Sequence, residues 1–209
     1  PFPHIVIDDF FNEDILNEVL SEFPDLSSLK NVKEEIRFEE IKFVSKGEKN
    51  VGEKTKSLIH ILNSESFLDF IRNLTGIKEH LISDPYLIGG GLHEIKRGGL
   101  LDVHADFNKH PYYKLDRRIN ILVYLNKNWE DHYGGSLELW DKQMTKAVVK
   151  VKPIFNRVVI FSTDSDSYHG HPEALMCEEN MSRKSLALYY YTNGRSDNKE
   201  NEIHDTIFK

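Results

Sequence analysis

The chain has a single cysteine, Cys177, among its 209 residues. An internal disulfide is therefore excluded, and so is a thiolate zinc site built within the chain. One lone cysteine fits a reducing compartment, and a cytoplasmic location is the expectation. No apolar run approaches the ~20 residues of a membrane-spanning helix, so no membrane partner is expected. No basic segment followed by an apolar one opens the chain. Its first residue is Pro1 rather than Met, which leaves a removed leader open. Positive charge is also scarce: 27 Lys and Arg face 34 Asp and Glu, for a net charge of −7. A large phosphate-backbone footprint, and with it a nucleic-acid partner, is not expected. There is no internal repeat and no low-complexity linker. GGG at 89–91 is followed neither by a P-loop Lys-Ser/Thr nor by a helical pattern, so it is not read as a phosphate loop.

What is present suffices for one core: 39% of residues are hydrophobic. The N-terminal part reads as a short strand, Ile5 to Ile7, and then helices. Asn12 caps the first, Glu13 and Asp14 suit its positive end, and Ile15, Leu16, Val19, Leu20 and Phe23 recur at helical spacing up to Pro24. Residues 25–50 read as loop with one strand near Ile41–Val44. A helical pair is predicted over about 54–75, with Ser64 capping its second member and Gly76 closing it. From residue 81 the texture changes. Short apolar or alternating runs fall at 86–95, 100–105, 118–125, 136–140, 146–151, 157–162 and 184–191, with turn residues in most gaps. Many short strands indicate a sandwich or barrel. Helices first and strands afterwards predict a mainly β, α+β fold with the helices packed outside.

Polar residues inside the strands carry the chemistry. LLDVHADFN places Asp102, His104 and Asp106 on one strand face. His104 and Asp106, about 7 Å apart along the strand, both reach one cation. A lone HxD also fits a solvated face, and it needs a second histidine. RVVIFSTDSDSYHGHPEAL supplies His169 and His171 on a common face if extended; the remaining histidines are expected mostly at the surface. In MSRKSLALYYYT, Arg183 and Lys184 stand at a strand's start, where an arginine fork suits a carboxylate.

The order HxD, strands, His, then a cation opening a strand resembles the iron(II)/2-oxoglutarate dioxygenase superfamily. The resemblance is closest to its prolyl 4-hydroxylase-like branch, which includes the oxygen-sensing prolyl hydroxylases. It runs from about Leu87 to Thr192 on HEIKRGGLLDVHAD, RRINILVYLNKNW, GGSLELWD, RVVIFSTD and SRKSLALYYYT. PFPHIVIDDFFNEDILNEVL also looks like the opening of bacterial members. The resemblance implies a double-stranded β-helix, or distorted jelly roll, in one domain. Residues 1–80 then form the supporting strand and helices, 81–192 the core and 193–209 a C-terminal extension.

The resemblance also implies a ligand set. His104 and Asp106 match the HxD pair. The distal ligand falls on His169 when counted from Arg157, with His171 as the alternative because family spacings to the basic residue are usually shorter than this chain's. With His169, the loop 172–182 carries an insertion. Arg183 is the expected partner of the distal carboxylate of 2-oxoglutarate, Lys184 being expected to face away. Tyr124 stands where relatives offer a phenol to the same carboxylate, and Asn120 shares its face. Where some relatives carry a cosubstrate tyrosine before HxD, this chain has HEIK, with His93 and Ile95 as possible linings. Asp102 matches no ligand and is expected to end the strand or support the site.

Fe(II), 2-oxoglutarate and O2 are the implied cofactors, with ascorbate as an optional reductant. Hydroxylation with release of succinate and CO2 is the implied reaction, since halogenating relatives lack a carboxylate at the Asp106 position. The loop 107–118, with Tyr112, Tyr113, Lys114, Arg117 and Arg118, is expected at the site mouth, where Tyr112, Tyr113, Arg117 and also His171 are substrate candidates. Loops 25–50 and 164–182 are candidate lids. A peptide or protein proline is the nearest substrate analogy, and a small molecule such as an amino acid, sugar or natural product is the alternative. A cupin-like metalloenzyme that does not use 2-oxoglutarate, a non-catalytic jelly-roll binding module and a nucleic-acid oxygenase are the competing classes. Oligomeric state is not legible.

Overall fold

The computed structural model describes residues 1–29, 33–35, 42–45, 47–197 and 202–209. The first strand is β1 (His4–Ile7) and the first helix α1 (Glu13–Ser21). Asn12 Oδ1 accepts from the backbone N–H of Asp14 at 2.8 Å, which satisfies a donor that no helix turn reaches. Then come β2 (Lys33–Glu35), β3 (Lys42–Val44), α2 (Glu53–Leu62) and α3 (Glu65–Thr75). Ser64 caps α3, and Gly76 closes it with φ +72°, the left-handed conformation that glycine adopts without strain. Strand β2 was not expected from the sequence, and Ile41 of the expected 41–44 strand lies outside the described residues.

The β region follows with β4 (Ile82–Ser83), β5 (Gly91–Lys96), β6 (Leu101–Ala105), β7 (Asp116–Tyr124), β8 (Leu137–Trp140), β9 (Ala147–Val151), β10 (Val158–Ser162), β11 (His169–His171), β12 (Ser182–Thr192) and β13 (Ile207–Phe208). The expected strand over 86–95 is corrected: it starts only at Gly91, because Asp84 accepts from the N–H of Tyr86 and Ile88 and turns the preceding segment.

All pairings are antiparallel, in two sheets. The larger runs β1-β10-β7-β12-β5-β3-β2, with β4 on the end of β12; the smaller runs β13-β6-β11-β8-β9. Side-chain alternation sorts each strand of the larger sheet into two faces. Ile119, Ile121 and Val123 of β7 and Leu186, Leu188 and Tyr190 of β12 join Leu16, Leu58, Ile59, Leu62 and Ile71 of the helices in one cluster. Each such buried aliphatic contributes about 1.5–3 kcal/mol, so the helices hold this sheet by burial. On the other face Tyr124, Val159 and Phe161 meet Leu137, Leu139 and Val151 of the smaller sheet. The two sheets thus face each other as a distorted jelly roll with helices outside, the expected class.

Candidate active site

Both sheets contribute to one buried cluster between them. His104 from β6 and His169 from β11 are paired across the strands, with ring centroids 4.5 Å apart. Asp106 follows one residue after β6. His104, Asp106 and His169 bring ligand atoms within 4.8 Å of one another. His104 Nδ1 lies 2.7 Å from the Asp102 carbonyl, and His169 Nδ1 lies 2.9 Å from the Ser167 carbonyl. Each ring therefore donates from Nδ1 and turns Nε2 to Asp106, at 3.6 Å for His104 and 3.5 Å for His169. Asp102 serves His104 through its backbone. Strand β11 lies so close to β6 that a Cβ on Gly170 would stand 2.7 Å from the Leu101 carbonyl oxygen, so only glycine fits between the two histidines.

Asp106 is held from the opposite side. Asn120 Nδ2 donates to its Oδ2 at 2.7 Å, Arg117 Nη2 lies 3.0 Å from the same oxygen, and Arg117 Nε donates to Asn120 Oδ1 at 3.0 Å. The Arg117 guanidinium lies over the Tyr189 ring at 3.5 Å and the Phe107 ring at 4.5 Å. Burial works against ionisation of Asp106. Arg117 and the two histidines outweigh it and hold the carboxyl well below the usual carboxylate range. Burial and the neighbouring His104 push His169 down to about 4, so it offers a neutral nitrogen. Two imidazoles and one carboxylate that leave a face open are the donor set of a non-haem iron(II) centre, and these residues fit that metal.

A second polar locus lies further along the same interior. Arg183, 5% exposed, donates from Nε to the Gly135 carbonyl at 2.8 Å and from Nη2 to the Tyr124 hydroxyl at 3.1 Å. Gly135 has φ +70°, and a Cβ there would press on Leu175 and Arg183. Among the described residues no carboxylate comes within 4.0 Å of Arg183. A buried guanidinium beside a phenol and without a counter-ion fits the distal carboxylate of a 2-oxo diacid. Burial pushes the Tyr124 phenol up despite Arg183, so it stays protonated. Lys184 lies over the Phe23 ring, away from this locus.

Several sequence expectations are corrected in place. Arg117 is not on an exposed loop: it sits in β7, 1% exposed and committed to Asp106. Both ends of the Asn120 amide are engaged by Asp106 and Arg117 rather than turned to a cosubstrate. His171 stands outside the His-Asp-His group. Tyr112 and Tyr113 are exposed, 73% and 55%, and line a groove with Tyr86, Pro85 and Gly89. The Tyr189 hydroxyl donates to the Gly89 carbonyl at 2.9 Å, which joins this groove to the Arg117 side of the site. The segment after His171 is no free lid. Leu175 exchanges backbone hydrogen bonds with Gly98 and Gly99, and Leu175 and Cys177 are buried against Ile95, Trp129 and Tyr133. The candidate lid 25–50 lies partly outside the described residues. His110, expected at the surface, is buried. Its Nδ1 accepts from the N–H of Tyr112 and Tyr113, and its Nε2 lies 3.5 Å from Asp84. A basic or aromatic stretch gave no sign of this anchor.

Comparison with known proteins agrees with this geometry. Residues 90–191 match the family model of the 2OG-Fe(II) oxygenase superfamily. Prolyl 3-hydroxylase OGFOD1 of Mus musculus is 33% identical over 82 residues, which are 36% of this chain and 14% of that protein's length. Among solved structures, a Pseudomonas putida prolyl-4-hydroxylase superposes with a TM-score of 0.65 at 16% identity, over 92% of this chain and 94% of that one. A Trichoplax adhaerens prolyl hydroxylase in complex with a hypoxia inducible factor peptide fragment gives 0.64 at 19% identity, over 90% and 83%. HygX from Streptomyces hygroscopicus, with nickel and 2-oxoglutarate bound, gives 0.62 at 13% identity, over 98% and 92%. Residues 90–191 thus form a 2OG-Fe(II) oxygenase superfamily region, and the chain has the fold of the prolyl hydroxylases it superposes on.

Proposed function

We propose that this chain is an iron(II)- and 2-oxoglutarate-dependent dioxygenase that hydroxylates proline in a peptide or protein. One observation carries the class: a His104-Asp106-His169 group shares one interior with an Arg183–Tyr124 pair whose guanidinium meets no carboxylate among the described residues. Iron(II), with 2-oxoglutarate and dioxygen, supplies oxidation of a C–H bond to an alcohol while the 2-oxo acid becomes succinate and CO2. His104, Asp106 and His169 would hold the metal through ring nitrogens and an ionised carboxylate. Arg117 and Asn120 fix the Asp106 carboxylate from behind. Arg183 and Tyr124 hold the distal carboxylate of the 2-oxo acid and so orient it. Phe161 touches the His169 ring and packs in one buried apolar cluster with Tyr124, Val159 and Leu139, which links the two loci through a dry interior.

A peptide substrate is supported by the groove of Tyr86, Tyr112 and Tyr113, which is open to solvent and reaches the site through Gly89. The curated and structural relatives named as prolyl hydroxylases support the same choice. A small-molecule substrate is the second reading, favoured by the likeness to HygX, which has also been solved with hygromycin B bound. The lone, buried Cys177 supports a reducing, cytoplasmic setting. Among the described residues no helix is long and apolar enough to cross a membrane. A succinate-release screen over proline-containing peptides, free amino acids and sugars, each with a no-substrate control, tests cosubstrate and substrate together. Succinate coupled to a peptide that gains one oxygen atom at proline is the expected result, and D106A is expected to abolish it. Turnover without 2-oxoglutarate would overturn the class, and oxygen gained only by a sugar or free amino acid would overturn the substrate.

A further inference from the structure

His171 has no role in the assignments above, yet it is among the most buried polar side chains, 2% exposed. Among the described residues neither of its ring nitrogens meets a partner at hydrogen-bond geometry. Native interiors rarely leave such a group unsatisfied, and an absent ligand is one explanation for it. The strand pairing shows where the ring stands. His169 faces His104, but two residues later His171 faces Leu101, so one extra β6 residue is absorbed between them. His171 stands outside the metal cluster.

After burial, the cations Arg183 and Lys42 act most strongly on the His171 ring, ahead of the neighbouring His104 ring, and push its pKa down; the Glu173 backbone, close to the ring but outside hydrogen-bond geometry, pushes the other way. An imidazole in either protonation state has at least one N–H to give. Arg183, the foremost of these influences, has no carboxylate within 4.0 Å among the described residues. A buried donor that makes no hydrogen bond among the described residues, in the field of a cation that meets no carboxylate there, is complementary to an anion with several acceptor oxygens.

We propose that His171 is a third contact for the cosubstrate: its N–H hydrogen-bonds the distal carboxylate of 2-oxoglutarate alongside Arg183 and Tyr124. This rests on the reading that the chain uses 2-oxoglutarate. His171 is then a positioning residue for the 2-oxo acid and helps select a diacid over a monoacid. It takes no part in holding the metal.

The test is binding to the full chain loaded with Mn(II), followed by calorimetry and protein fluorescence without turnover. The probes are 2-oxoglutarate and 2-oxopentanoate, in which a methyl replaces the distal carboxylate. H171V is expected to weaken 2-oxoglutarate about tenfold, the size of one hydrogen bond to a charged acceptor. It should leave 2-oxopentanoate and Mn(II) affinities unchanged. H171Q, which keeps an N–H donor, should recover most of the loss. If H171V does not fold, H171M fills the site without a donor and carries the same expectation. Unchanged 2-oxoglutarate affinity, an equal loss for both acids, or a loss of Mn(II) would each overturn the assignment. Failure of the unsubstituted protein to bind 2-oxoglutarate would overturn the cosubstrate reading itself, and the His171 contact with it.

Discussion

Arg117 Nη2 lies 3.0 Å from Asp106 Oδ2, and both side chains are largely removed from solvent. The pair joins the start of β7 to the end of β6, and so ties the larger sheet to the smaller one beside the candidate metal cluster. Tyr189 beneath the guanidinium and Asn120 beside it fix its plane. Asp106 thus has a counter-charge, Arg117, even without a metal ion.

Removing that counter-charge should be costly in the metal-free protein. R117M is expected to lose about 3–5 kcal/mol of stability, the usual result of stranding one member of a buried pair. R117K should also lose stability, because an ammonium cannot reach Asp106 and Asn120 together or stack flat on Tyr189. Mn(II) should restore part of the loss, since the metal supplies the missing positive charge and binds only the folded chain. Urea unfolding with and without Mn(II) measures both effects; an equal loss under the two conditions would count against the pairing.

Gly170 makes a separate prediction about spacing. A Cβ there meets the carbonyl oxygens of Leu101 and Asp102, which are backbone atoms and cannot swing away. G170A should push β11 from β6 and cost about 1–3 kcal/mol by overpacking. Because His169 and His104 ride on these strands, Mn(II) affinity should fall with it. A thermal melt and a metal titration of the same variant suffice. Full metal affinity with an unchanged melt would show that the strands have slack.

The helices and longer strands were legible because local signals agreed. Asn12, Ser64 and Gly76 mark helix ends at the positions the structure uses, and apolar residues at helical spacing lie between them. His104 and Asp106 were legible because alternation along β6 puts them together. Arg117 was not. In Arg117-Arg118, two adjacent cations look like a solvated loop, and alternation counted from Tyr124 assigns Arg117 to the wrong face. The pairing explains this: Tyr190 faces Ile119 but Tyr191 faces Arg117, so β7 holds an extra residue that reverses the faces. His169–His171 was similarly opaque, since HGH has no apolar alternation and is a strand only because β6 and β8 flank it. The short β13, whose Phe208 lies opposite His104, draws its order from the same kind of distant pairing.

Glu79 provides a pH-dependent test away from the site. Hydrogen bonding from the Ser196 hydroxyl, then from backbone N–H groups, and the Arg118 charge hold its carboxyl down to about 2. A carboxyl with a lowered folded pKa stabilises fully above its unfolded value and loses that contribution as pH falls toward the folded one. The wild-type protein should therefore exceed E79Q in stability by about 1 kcal/mol at neutral pH, a modest figure for a partly solvated group. The gap should shrink below pH ~4.5 and close near pH ~2. Chemical denaturation of both proteins across that range measures the gap, and a constant difference would show that E79Q harms the fold by some route other than lost charge.

Tyr124 and Arg183 allow the cosubstrate locus to be dissected. Y124F removes one hydroxyl from the Arg183 fork without changing the ring's packing against Val159 and Leu137. Its expected effect is a rise in KM for 2-oxoglutarate of about 5–10-fold, equivalent to one modest hydrogen bond, with kcat retained. R183M removes the only charge of the pair and should raise KM far more. R183K should fall between, because a lysine supplies charge but cannot bond the Gly135 carbonyl, Tyr124 and a carboxylate from one plane. Initial rates of succinate release at varied 2-oxoglutarate give the order Y124F, R183K, R183M. A Y124F enzyme that loses kcat with KM unchanged would place Tyr124 nearer the reacting carbon than the distal carboxylate.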